Sequence, residues 1–299
     1  MRATEALLHE VVASAGLPPV VSFRPVRGHG FDHQILHATL ADSRQVVLRH
    51  RPQESRPLPL AQARFLAEHD VPAPALLGGN SFATLYEYAP GEMLSALVAE
   101  GRVSDDDWRS AGTAFRRLHA VRFPSKVRPR DPVAALHEQL AEAEPILKVN
   151  LPVVVPHLPR LHELIDEHAE PLRDAPTALL HWDVNPANII VGPAQTTLID
   201  WGDTRIGDPA KEIAALEEHI YLIDRSPQLP VAFYETYGPR PTNTALHRLT
   251  GPLSWYTEGN FDGWDLEEDL DPALQEKVDA WRAGLAGYLS EMAEHLKSF

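Results

Sequence analysis

Near residue 90 the spacing of apolar side chains changes, and that change constrains the fold more than any other feature of the chain. Before it, segments 20–26, 33–40 and 45–50 are short and either β-branched or alternating, and 82–88 repeats the pattern. A period of two with turns between is that of strands. The turn at 41–44 joins two of them as a hairpin, and one short helix is expected at 58–69. After Ala89-Pro90-Gly91 the period lengthens. Residues 104–121 carry apolar positions at helical spacing behind Ser104, an N-cap residue with Asp107 three positions on. Further helices are expected at 131–146, 157–170, 209–222, 242–256 and 272–296, and the first sixteen residues read as an amphipathic helix. The expectation is an α+β chain with a small antiparallel-sheet lobe over 1–90 and a larger, mainly helical lobe over 91–299.

Composition sets the limits. Of 299 residues 44% are hydrophobic, so a sizeable core can be buried. Lys plus Arg number 27 against 42 Asp plus Glu, a net charge of −15, which argues against a nucleic-acid binder held by phosphate contacts and suits cationic small molecules. With no cysteine, disulfides, thiolate metal sites and thiol catalysis are excluded. Neither a leader-like start nor a run of 18 apolar residues is found, so no membrane contact and a cytoplasmic location are expected. A monomer or weak dimer is expected.

One segment interrupts the helical half. Residues 177–203, TALLHWDVNPANIIVGPAQTTLIDWGD, hold two short apolar runs around a polar loop. Pairing the runs brings Asn188, just before the first, near Asp200, at the end of the second. Together they offer two hard oxygen ligands of the kind Mg²⁺ accepts beside phosphate oxygens and water. Asp183 stands near enough to take a proton from an attacking hydroxyl. A carboxylate base with a carboxylate and an amide for the metal is what phosphoryl transfer requires.

H-x-D-x-x-x-x-N followed by a strand ending in Asp is the kinase catalytic signature. The wording HWDVNPANII…LIDWGDTRIGDPAKEIAAL, with RLHAV at 117–121, resembles the aminoglycoside phosphotransferase and choline kinase family. The resemblance implies a two-lobed protein-kinase-like fold, with ATP or GTP as donor and Mg²⁺ as cofactor. It makes Asp183 the catalytic base, Asn188 and Asp200 the metal ligands, Asp208 a structural residue bracing the catalytic loop, and His181 a packed scaffold residue. Trp182 stands where the family usually has Gly.

On the nucleotide side, Gly28-His29-Gly30 lies between two strands, where glycines let the backbone approach phosphate. Arg49 occupies the place of the usual phosphate-binding Lys, and Gln62, which is neutral, that of its helical Glu partner. Segment 85–91 matches the hinge beside the base, with Tyr86 and Tyr88 as wall residues or, for one of them, core. His29, His33 and His37 align only on a helix and are read as loop and strand, not as a metal site. HELIDEH at 162–168 is not H-E-x-x-H and is read as an exposed helix face.

For the acceptor, residues 257–271 hold seven carboxylates, and the words GNFD resemble hygromycin-type phosphotransferases. Glu258 and Asp262, flanked by Trp255, Tyr256, Phe261 and Trp264, are the expected contacts to an amine-bearing sugar; Glu217 and Glu218 are further carboxylates on the helical lobe. The favoured activity is phosphate transfer to a hydroxyl of an aminoglycoside-like antibiotic, with a role in resistance. A metabolite kinase of the choline, homoserine or thio-sugar type, or a nucleotide-binding module without turnover, are the alternatives.

Overall fold

The computed structural model describes residues 2–26, 34–51, 57–127, 130–257 and 272–296. The chain forms two compact units. The first comprises Met1–Glu92 together with Ile190–Ile199, the second Met93–Ile189 with Asp200–Phe299. The sheet-rich unit is therefore not the single continuous segment 1–90 expected from the change in periodicity. The chain re-enters it at Ile190–Ile199, after the polar loop.

The first unit is a five-stranded antiparallel sheet ordered β1-β2-β3-β5-β4. Its strands are β1 (Val20–Val26), β2 (Gln34–Leu40), β3 (Gln45–His50), β4 (Leu76–Gly79) and β5 (Ala83–Glu87). Strand alternation sends Leu36, Ala38, Leu40, Val46, Leu48 and Leu85 to one face. There they bury against Leu8, Val11 and Val12 of helix α1 (Arg2–Ser14). Helix α2 (Leu60–Glu68) follows β3. A second, three-stranded sheet is ordered β10-β9-β6, from β6 (Glu92–Met93), β9 (Ile189–Val191) and β10 (Thr196–Leu198). The two apolar runs after the polar loop are thus adjacent strands. Gly91 explains how the chain passes them so closely. Its φ is +144°, and a Cβ there would sit 2.2 Å from the Val191 carbonyl oxygen.

The second unit contains α3 (Leu94–Ala99), α4 (Asp105–Ala120), α5 (Pro132–Asn150), α6 (Leu158–Glu167), α7 (Ala169–Asp174), α8 (Pro209–Asp224), α9 (Val231–Tyr237), α10 (Thr244–Thr250) and α11 (Pro272–Leu296). A short sheet ordered β11-β8-β7 joins them, from β7 (Arg122–Phe123), β8 (Thr177–Leu180) and β11 (Arg205–Gly207). Helix α5 runs through Pro145 to Asn150, beyond the expected end at 146, and segment 157–170 divides into α6 and α7 at His168. Ser104 caps α4 as its position predicts. Its hydroxyl accepts from the Asp107 N–H at 3.2 Å, and the Asp107 carboxylate accepts from the Ser104 N–H at 2.8 Å. The shorter Asp closes the capping box that Glu usually closes. The leucine-rich faces of α5, α6, α7 and α11 form one core, with Leu140, Leu147, Ile165 and Leu285 fully buried.

Helices α4 and α9 touch backbone to side at Gly112, where a Cβ would lie 2.2 Å from the Phe233 carbonyl oxygen. Gly112→Ala is therefore expected to cost about 1–3 kcal/mol by forcing the helices apart. Urea denaturation measures this, and an unchanged midpoint with unchanged slope would disprove the close fit.

Candidate active site

Strand β8 is buried along its whole length and delivers the chain into the polar loop. His181 follows, 2% exposed, edge-on to Trp201 with ring centres 4.5 Å apart. It is packed, as expected of a scaffold residue. Val184 is buried beneath the loop, and the Asn185 side chain accepts from the Ala187 N–H at 2.9 Å. That bond turns the chain into a 3₁₀ turn, Pro186–Asn188. Asn188 then reaches back. Its Nδ2 donates to the Asp183 carboxylate at 2.8 Å and to the Asp183 carbonyl at 3.1 Å. The loop is closed on its own first carboxylate, and Asn188 Oδ1 is the atom left for a cation.

Burial raises the Asp183 carboxyl above the ordinary carboxylate range. The Asp200 charge raises it further, while His181 and the Asn188 hydrogen bond pull the other way. Asp200 takes φ +67°, a left-handed conformation at the end of the second apolar run. Asp183, Asn188 and Asp200 all belong to the second unit. A buried carboxylate that feels the charge of a second one, beside an amide oxygen, is a donor set that a hard divalent cation would relieve. Among the described residues no group of three or more His, Asp or Glu side chains is arranged as a metal cage by itself.

The residue that braces the loop is not Asp208. Asp208 caps α8 by accepting from the Ala210 N–H at 2.9 Å, accepts from Asn243 Nδ2 at 2.8 Å, and lies 3.4 Å from His247 Nε2. Burial pushes its carboxyl up, but His247, Asn243 and the Ala210 N–H more than reverse this and hold it low. It ties α8 to α10. The brace stands one helical turn later. Glu212, 2% exposed, accepts the Trp182 N–H on Oε1 at 2.6 Å and faces His119 Nε2 with Oε2 at 2.7 Å. His119 Nδ1 lies 2.9 Å from the Tyr237 hydroxyl. With Glu212 accepting from Nε2–H, the Tyr237 O–H donates to Nδ1, in keeping with a phenol raised by burial and by Glu212. A chain from α9 through α4 and α8 thus ends on the backbone of the residue before Asp183. Glu212 carries no sequence signal beyond an acidic residue in a first helical turn, and His119 none beyond its place in RLHAV.

Trp182 has φ +74°, a conformation glycine adopts freely and a bulky residue does not. Its indole does not pack under the loop. It is 47% exposed, with the Arg205 guanidinium 6.0 Å and the Lys211 ammonium 5.7 Å from the ring centre. Trp182→Gly removes left-handed strain of about 1–2 kcal/mol and forfeits exposed cation–π contacts and chain stiffness worth a similar amount. The thermal midpoint is expected to hold or rise slightly. A clear drop would mean that the indole is a stabilising contact.

In the first unit, Arg49 pairs in register with Ile35 on one side and Thr84 on the other. By alternation it shares the sheet face opposite α1 with Val47 and Tyr86. Arg49 and Arg51 line a small cavity with Asn80 and Thr84. Neither Tyr86 nor Tyr88 is core; both are half-buried. Tyr88 stacks on His37 with ring centres 4.2 Å apart, and its N–H donates to the Gln45 carbonyl at 3.1 Å. Gln62 lies on α2, whose one carboxylate, Glu68, is its last residue. Gly28, Gly30, Glu258 and Asp262 lie outside the described residues, as do His29, His33, Phe261 and Trp264.

Of the acidic pair on α8, Glu217 is engaged. Arg240 grips it through Nε at 2.8 Å and Nη2 at 2.7 Å, and the Tyr234 hydroxyl donates to it at 2.7 Å. Glu218 is 6% exposed and receives no hydrogen bond among the described residues. Burial pushes its carboxyl up to about 8, with Arg248 opposing.

The family model described as "Phosphotransferase enzyme family" matches residues 23–249. No curated protein matches the chain. Among solved structures, a choline/ethanolamine kinase family protein from Mesorhizobium loti superposes with a TM-score of 0.65 at 19% identity, covering 100% of this chain and 96% of that one. A macrolide 2′-phosphotransferase from Brachybacterium faecium gives 0.59 at 20% identity, over 98% of each. An ADP-bound aminoglycoside phosphotransferase gives 0.58 at 16%, over 92% of this chain and 95% of that one. The fold is the two-lobed kinase-like α+β fold. Among the described residues no helix is long and apolar enough to cross a membrane.

Proposed function

The chain belongs to the phosphotransferase enzyme family, and on that premise we propose that it transfers the γ-phosphate of ATP or GTP to a hydroxyl of an amine-bearing small molecule of aminoglycoside type. The observation that carries this reading is the closed loop in which Asn188 holds the Asp183 carboxylate at 2.8 Å within the field of Asp200.

Asp183 accepts the proton of the acceptor hydroxyl as its oxygen bonds to the γ-phosphorus and the bond from phosphorus to the β–γ bridging oxygen breaks, releasing the nucleoside diphosphate. Asn188 fixes the carboxylate against rotation, and Glu212 fixes the backbone that carries it. Most of the acceleration then comes from alignment, since a loose transition state leaves little covalent work for the protein. Asp200 and Asn188 Oδ1 would hold Mg²⁺, which supplies charge neutralisation on the phosphates. Arg49 would hold the α- and β-phosphates from the open face of the sheet, with Gly28 and Gly30 approaching them by backbone and Tyr86 and Tyr88 flanking the base.

Glu258 and Asp262, flanked in sequence by Trp255, Tyr256, Phe261 and Trp264, are the carboxylates proposed to meet the ammonium groups of such an acceptor by charge-assisted hydrogen bonds.

The test is nucleotide-dependent phosphate transfer across a panel of aminoglycosides and small amino alcohols, with Asp183→Ala as control. Transfer to an aminoglycoside that vanishes in the variant supports the reading. Transfer confined to a metabolite alcohol would retain the mechanism and overturn the acceptor. Nucleotide binding without transfer or hydrolysis would overturn both.

A further inference from the structure

The sequence places His162 on an exposed helix face, yet the fold turns it, half-buried, toward α5. His137 of α5 meets it with Nδ1 to Nδ1 at 2.6 Å, and His137 Nε2 lies 3.0 Å from the Asp166 carboxylate, one turn beyond His162 on α6. The ring planes are 10° apart and the ring centres 4.9 Å apart. That separation is used up by the nitrogen–nitrogen distance and the two ring radii. The imidazoles therefore meet edge to edge in one plane, Nδ1 toward Nδ1, and not face on face.

This geometry admits one proton between the two nitrogens. Asp166 accepts from His137 Nε2–H, which leaves His137 Nδ1 with a lone pair. His162 must then donate from Nδ1, the less common tautomer of a free imidazole. A first added proton leaves the bridge intact, because one nitrogen of the facing pair still offers a lone pair. A second sets N–H against N–H. We propose that Asp166, His137 and His162 form a proton-operated clasp between α5 and α6, closed while the histidines share one Nδ1 proton and opened when each carries its own.

The charges that reach His162 are His137 and Glu144 from α5 and Asp166 on its own helix. Burial and then His137 lower its affinity for a proton, against Asp166 and Glu144. A histidine lowered in the folded state holds fewer protons than in the unfolded chain. Its contribution is therefore full above the unfolded value and is lost as pH falls toward the folded one. Glu144 is itself paired with Lys148 at 2.9 Å, which weakens its pull on His162. The core of α5 and α6 beneath, with Leu140, Leu161 and Ile165, does not titrate, so opening concerns the polar edge of the helix pair.

The experiment reads the wild-type protein first. Long-range proton–nitrogen NMR of the ¹⁵N-labelled chain at about pH 8 assigns each ring's tautomer. The expected result is Nε2–H for His137 and Nδ1–H for His162, with Asp166→Asn releasing His137 into a mixture. Both rings as Nε2–H in the wild type would overturn the clasp. In urea, the wild-type midpoint should fall between about pH 7.5 and about pH 5.5, and fall less in His162→Gln. Equal slopes in the two proteins would equally sink it.

Discussion

Asp183→Asn is expected to lower phosphate transfer about 10²–10⁴-fold, the range for removing a positioned general base, without destabilising the protein. The two halves of this result have one cause. The native environment is hostile to the carboxylate, because burial and Asp200 both raise its proton affinity. A group raised in the folded state gives stability that is complete below its unfolded value and is lost as pH rises through the folded one. At neutral pH the ionised Asp183 is therefore a net cost, and the amide removes it. Against that stands the hydrogen bond from Asn188 at 2.8 Å, which faces an amide in the variant and is worth about 1–3 kcal/mol at a charged acceptor. In metal-free buffer the variant's urea midpoint should lie close to or above the wild-type value near pH 7, and the comparison should turn against the variant in acid. A variant that is inactive and also badly destabilised at pH 7 would show that Asp183 holds the loop together, and the assignment as base would lose its physical basis.

The proximity of the three residues proposed for catalysis is legible because it is local. Asp183, Asn188 and Asp200 lie in one segment, and pairing two apolar runs is enough to bring them together. Ser104 was legible for the same reason: a cap acts three residues away. Contacts over long separations were not. Glu212 meets His119 from another helix, and neither residue type nor spacing announces it, so the brace fell to Asp208, whose partners are Asn243 and His247. His162 failed likewise, since its helix face looks polar until α5 supplies His137. Glu217 and Glu218 are adjacent and chemically alike, yet one is gripped by Arg240 and the other receives no hydrogen bond among the described residues. Burial and partners, which differ between them, are set by packing and not by composition. The first unit follows the same rule. Alternation accounts for Val46 and Leu48 lying on the buried face of β3 with Val47 and Arg49 on the other, but it does not show that 190–199 returns to that unit.

Glu212→Ala is expected to damage both stability and turnover. The carboxylate is 2% exposed and accepts from the Trp182 N–H and from His119. Its removal leaves two donors without an acceptor, at about 1–3 kcal/mol each. The thermal midpoint should drop by several degrees, roughly 2–4 °C for each kcal/mol in a chain of this size. Turnover should fall about 10²-fold even well below that midpoint, because the freed backbone displaces Asp183, and an ångström at a reacting group costs about that much. The loss should appear in kcat more than in the KM for nucleotide. Glu212→Gln separates the contributions. Its carbonyl can still accept from Trp182, while its amide can donate to His119 only if that ring changes tautomer, so turnover should recover further than stability. A double-mutant cycle with Trp182→Gly then asks what the brace holds. If Glu212 serves to keep a bulky residue at φ +74°, glycine removes the need for it, and the two substitutions together should cost less than their sum. Strict additivity, or normal kcat in Glu212→Ala, would place the role of Glu212 in α4–α8 packing alone and detach it from the catalytic loop.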